Sequence, residues 1–102
     1  MNDQILETVM NIMMVSGQAK GYAIEAINLA KEHKTDEADE KMQAAQDTIN
    51  QAHNYQTKLL ESEANGNIEN ITLLMVHAQD HLMTSITFLD LAKEFIDVYK
   101  KI

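Results

Sequence analysis

The sequence predicts an all-α protein, an antiparallel bundle of three long helices. Three observations predict it. The 102 residues include no proline and only three glycines. Ala, Glu, Gln, Lys, Leu and Met, which lose little on entering a helix, are plentiful. Two clusters of capping and helix-breaking residues, Glu32–Asp36 and Glu63–Asn67, cut the chain into three similar pieces. The length suits a single domain spanning residues 1–102.

Each element can be justified in turn. The first helix is expected over residues 3–32, with Ile5, Val9, Ile12, Met13, Ile24 and Ile27 at helical spacing. Its middle is small: Ser16, Gly17, Ala19, Gly21 and Ala23. Glycine costs helix propensity, so these positions are expected to admit another backbone closely. Lys31 and Lys34 suit the negative end of this helix. Thr35 then suits the cap of a second helix over 36–64, with Asp36 and Glu37 in its positive first turn.

The second helix is the polar one. Met42, Ala45, Ile49, Ala52, Leu59 and Leu60 form a narrow apolar stripe, and His33 and His53 lie in polar surroundings. Asn65-Gly66 breaks this helix, with Gly66 suited to a left-handed end cap. Asn67 is placed to cap a third helix over 68–100. Connections this short force neighbouring helices to run antiparallel.

The third helix has more apolar surface than one seam needs. At ~100° per residue, Ile71, Leu74, Ala78, Leu82, Ser85, Leu89, Ala92 and Ile96 share one stripe. Leu73, Val76, Asp80, Met83, Thr87 and Leu91 share another. The first stripe can face the other two helices. The second has no partner inside a three-helix monomer, so it predicts self-association around the third helix.

Composition excludes several functions. The net charge is −8, and the eight basic residues are all lysines. Nucleic-acid binding is not expected without a basic face, nor is an arginine clamp on phosphate. The lack of cysteine removes thiolate chemistry and suits a reducing cytosol. Met1-Asn2-Asp3-Gln4 lacks a basic leader start, and no apolar run approaches the ~18 residues of a membrane span.

The chemistry concentrates at Val76-His77-Ala78-Gln79-Asp80-His81-Leu82-Met83. Three ionisable side chains in an apolar helix are costly without partners or a task. His77 falls between the two stripes, with His81, Thr84, Phe88 and Phe95, at the edge where one copy would meet the next. Asp80 lies within the second stripe and would meet its own copies around a closed axis. Carboxylates that close must share protons or bind a cation, and oxygen ligands favour a hard ion such as Mg²⁺. His77 and His81, four residues apart, could also hold a transition ion, although no nearby Cys or Glu completes a zinc site. Asp80 could equally serve only to set the oligomeric state.

The segment Leu73-Leu74-Met75-Val76-His77-Ala78-Gln79-Asp80-His81-Leu82-Met83 resembles the signature of one family. It is that of the enzyme IIA component of the lactose/cellobiose (chitobiose) class of the bacterial sugar phosphotransferase system. The chain length, the three-helix layout and the small segment Ser16–Ala23 match as well, so the resemblance covers essentially the whole chain.

The resemblance implies a cytoplasmic homotrimer of three-helix bundles, assembled around helix 3. It implies a phosphohistidine carrier that takes a phosphoryl group from the phosphocarrier HPr on His77 Nε2. The group then passes to a cysteine of the cognate IIB component, and a β-linked disaccharide is phosphorylated as it enters through the membrane component IIC. His81 is implied as a supporting residue, and Asp80 as an axial ligand for one divalent metal per trimer, Mg²⁺ for preference. No organic cofactor is implied. Gln79 matches a motif position but points outwards on the helical wheel. The sugar stays open among cellobiose, chitobiose, lactose and other β-glucosides, with cellobiose preferred. The residues alone leave two other readings: a non-catalytic oligomeric adaptor and a metal-binding bundle.

Overall fold

A computed structural model describes residues 1–102 as a slender rod, 52 × 17 × 17 Å. It holds α1 (Asp3–Lys31), α2 (Thr35–Ala64) and α3 (Leu73–Lys101), and no strand. The helices run up, down and up, as expected. Lys41 pairs with Glu25 at 3.1 Å across α1 and α2. Lys93 Nζ donates to Gln46 Oε1 at 2.9 Å across α2 and α3. Lys100 pairs with Asp39 at 2.8 Å, fixing the end of α3 to the start of α2. The hydrogen bond to Asp39 holds the Lys100 ammonium above its ordinary pKa. No helix is long and apolar enough to cross a membrane.

The core follows the predicted stripes. Ile5, Val9 and Ile12 of α1, Met42, Ala45, Ile49 and Ala52 of α2, and Ala78, Leu82, Leu89 and Ile96 of α3 are buried. Alanines dominate the middle of α1: Ala19, Ala23, Ala26 and Ala30 have no exposed surface. Small side chains bring helix axes closer and preserve packing density without bulky residues. α1 packs along both neighbours, whereas α2 and α3 touch each other much less. The predicted stripes overreach at their margins. Leu60 and Ile24 are exposed, Ile71 of the core-facing stripe is exposed and lies ahead of α3, and Met75 joins the core from outside that stripe.

Three local expectations need correction. The third helix begins at Leu73, not near residue 68. Gly66 does adopt the left-handed conformation, with φ 76°, and the Asn67 N–H donates back to Ser62 O at 2.9 Å. This turn commits the Asn67 N–H to α2, and the chain then runs on irregularly before Thr72 caps α3.

The second correction concerns Thr35, which is the first residue of α2; Lys34 stands at the cap position and no side chain caps the helix. The third concerns Gly17 and Gly21. A Cβ at either position would meet nothing within 4 Å. Both face away from the helix contacts, which are made instead by Ser16, Ala19 and Ala23. No backbone of the same chain comes close to these glycines.

Candidate functional site

Thr72 starts the helix that carries the site. Its extended backbone and side-chain oxygen, which accepts the Met75 N–H at 3.2 Å, set the first turn of α3. His77 and His81 follow on one face, four residues apart, where helix geometry makes side chains neighbours. His77 is exposed and His81 half-buried. Their Nε2 atoms lie 3.2 Å apart, and the rings meet edge to face with centroids 4.6 Å apart. One Nε2 must therefore carry a proton and the other a lone pair. No other side chain of this chain hydrogen-bonds His77, so nothing here engages its Nδ1.

Thr84 and Phe88 continue this edge, as the wheel predicts. The Thr84 hydroxyl donates to the Asp80 carbonyl at 2.8 Å. Lys20 Nζ of α1 lies 5.5 Å from the centroid of the Phe88 ring, a cation–π contact. The edge is thus the seam between α1 and α3.

Asp80 stands on the adjoining face, exposed, and no basic side chain pairs with it. Around it the second stripe lies bare. Leu73 is 84% exposed, Val76 53%, Met83 48% and Leu91 55%. A shallow groove lined by Leu73, Leu74, Val76, His77 and Asp80 joins this stripe to the histidine edge. Gln79 corrects the wheel. It is half-buried and lines an apolar cleft of about 430 Å³ with Leu59, Ile68, Met75 and Met83, between α2 and the start of α3. A wheel of one helix cannot show this, because the other walls of the cleft come from α2, with Leu59, Leu60 and Glu63, and from Ile68 and Ile71 of the 65–72 connection.

A family model described as "PTS system, Lactose/Cellobiose specific IIA subunit" matches residues 7–100. The chain belongs to this IIA family. The chain is also 43% identical to the lichenan-specific phosphotransferase enzyme IIA component of Bacillus subtilis, covering 100% of this chain and 93% of the relative. The cellobiose-specific enzyme IIA from Bacillus anthracis superposes with a TM-score of 0.92 at 46% identity, over 99% of this chain and 93% of the other. The IIA(chitobiose) of Escherichia coli, solved as a complex with HPr, superposes with a TM-score of 0.85 at 36% identity, covering 98% and 97%. IIA chains are transferase components of the sugar phosphotransferase system, and this chain is one of them.

Within a single IIA chain, no three His, Cys, Asp or Glu side chains gather as a metal cluster. Asp80 can offer an ion one carboxylate, and His77 and His81 can offer two ring nitrogens. A single chain thus gives a hard cation at Asp80 no more than one carboxylate.

Proposed function

We propose that this IIA chain is a phosphohistidine carrier, with His77 Nε2 as the acceptor. The supporting observation is the position of His77. It is exposed in a rigid helix, at the margin of a large uncovered apolar stripe, with a second imidazole nitrogen 3.2 Å from the reactive one. Phosphoryl transfer asks mainly for in-line positioning and charge stabilisation, and an exposed edge lets two carriers approach head-on.

The donor is HPr, in keeping with the relative solved in complex with it. In the transfer, the His77 Nε2 lone pair forms a new N–P bond while the N–P bond of phospho-HPr breaks, and its electron pair returns to the HPr imidazole. His81 cannot donate to the His77 Nε2 lone pair at that moment, so the pair must open. Its Nε2–H is then free to donate to a phosphoryl oxygen. In the second transfer a cysteine thiolate of IIB forms the new S–P bond while the His77 N–P bond breaks, and its electron pair returns to the His77 imidazole. Without arginine the chain holds the phosphoryl group loosely, which suits a relay, since uniform binding does not speed transfer.

The bare α3 stripe is the contact between copies, and the assembly is a trimer around α3. Three Asp80 carboxylates on that axis repel unless they share protons or a cation, and their oxygens suit one Mg²⁺. Such an ion would offset charge at the axis. It has no part in the transfer at His77. The carrier works in the cytoplasm, and its system imports a β-linked disaccharide, cellobiose for preference. Relatives named for lichenan, cellobiose and chitobiose share this fold, consistent with sugar choice lying elsewhere, in IIC.

The test is intact mass after incubation with phosphoenolpyruvate, enzyme I and HPr. One acid-labile phosphate, ~80 Da, is expected on the wild type and none on His77→Ala. A folded wild type that gains no phosphate would leave a non-catalytic helical adaptor.

A further inference from the structure

We propose that His77 and His81 together form a two-nitrogen site for a borderline transition ion such as Zn²⁺, and that the ion and the phosphoryl group exclude one another. The first half stands on the geometry of the pair. The second half rests on His77 Nε2 being the phosphoryl acceptor.

The two Nε2 atoms are 3.2 Å apart. Two nitrogens bound to one tetrahedral Zn²⁺ at ~2.0–2.1 Å stand roughly 3.3–3.4 Å apart. The helix therefore already holds both donors at the spacing of one edge of the coordination shell. Each ring must turn so that its lone pair leaves the N–N line by roughly 35° to meet the other on a common tetrahedral ion. In the free chain one proton fills the gap between the nitrogens. When the ion takes its place, that proton moves through solvent to the Nδ1 of the same ring, so the neutral pair loses no net proton.

Access is open on the His77 side, since that ring is exposed. No third His, Cys, Asp or Glu completes a cluster. Within one chain water fills the remaining positions, and binding is weaker than at structural sites with four protein ligands. Imidazole nitrogens select Zn²⁺, Ni²⁺ or Cu²⁺ over Mg²⁺. The site thus differs in chemistry from the carboxylate at Asp80. His33, in the turn after α1, and His53, in the middle of α2, are single exposed histidines, so they serve as internal controls.

Exclusion follows from the shared atom. A metal-bound Nε2 has no lone pair with which to attack phosphorus. A phosphorylated Nε2 has none for a metal.

The experiment uses the full chain, labelled with ¹⁵N at histidine and titrated with Zn²⁺ alone. The Nε2 signals of His77 and His81 are expected to shift together, with one ion per chain. Mg²⁺ at equal concentration should leave them unmoved. His81→Ala should weaken the effect at His77 by at least the ~10-fold that loss of an outer-shell partner alone costs. Shifts confined to His33 and His53, or equal affinity in His81→Ala, would overturn the site. Transfer from preformed phospho-HPr is then timed with and without Zn²⁺, each variant against its own zinc-free rate. Inhibition of the wild type, reversed by EDTA and displaced to ~10-fold more Zn²⁺ in His81→Ala, is expected. Zinc on both rings with an unchanged rate would overturn the exclusion. A wild type that takes no phosphate without zinc would count against the carrier reading and leave the titration to decide the metal site.

Discussion

The side-chain oxygen of Thr72 accepts the Met75 N–H at 3.2 Å, and this bond starts the helix that carries His77. The preceding eight-residue connection, Asn65–Thr72, is not helical, and no other side chain hydrogen-bonds a backbone N–H of the first turn. Thr72→Ala should destabilise the chain by about 1 kcal/mol, the usual value of a helix cap. Hydrogen exchange should rise at Val76 and His77 before it rises elsewhere in α3. Unchanged exchange in that turn would mean that packing of Met75 alone holds it.

Gly21 sits in open space on an exposed face of α1. Gly21→Ala should raise thermal stability, since alanine gains up to ~1 kcal/mol over glycine in an exposed helix. A fall in melting temperature would indicate that another copy or a partner packs closely there, the role not seen within one chain.

Ser16 lies wholly buried, and its hydroxyl has no hydrogen-bond partner. An unpaired buried hydroxyl costs free energy that alanine does not. Ser16→Ala should leave stability unchanged or raise it by up to ~1 kcal/mol, read by urea unfolding. A large loss would reveal a partner for the hydroxyl.

Asp80 is unpaired amid exposed apolar residues. Asp80→Leu should keep or strengthen the proposed trimer and still accept phosphate, because replacing charges that would repel at a buried axis with apolar groups is often neutral or stabilising. Val76→Asp, which adds a charge to the same stripe, should drive the assembly towards monomers. Sedimentation of both variants reads the outcome. A monomeric or unreactive Asp80→Leu would assign the carboxylate an active role.

The faces of the helices were legible in the sequence because their cause is local. A period near 3.6 places Ala78, Leu82 and Leu89 together whatever surrounds them, and it sets Asp80 only about 60° round α3 from His77, between the histidine edge and the bare stripe. The undecapeptide around His77 likewise pointed to the family from residue identity alone. Other features depend on contacts between distant segments. Asn67 and Thr72 are both plausible caps by residue type, and the Asn67 N–H is taken by Ser62 across the Gly66 turn. Gln79 points outward on a wheel that contains no neighbours, yet the end of α2 and the connection ahead of α3 line a cleft beside it. Gly17 and Gly21 suggested a close approach, and the alanines of α1 make the helix contacts instead.

The 3.2 Å separation of the two imidazole nitrogens belongs to this second class. Four-residue spacing by itself determined that His77 and His81 are neighbours. Which ring atoms meet depends on side-chain torsions, and those are set by what packs around each ring. Half-buried His81 is held more closely than exposed His77, and only the folded bundle supplies that difference.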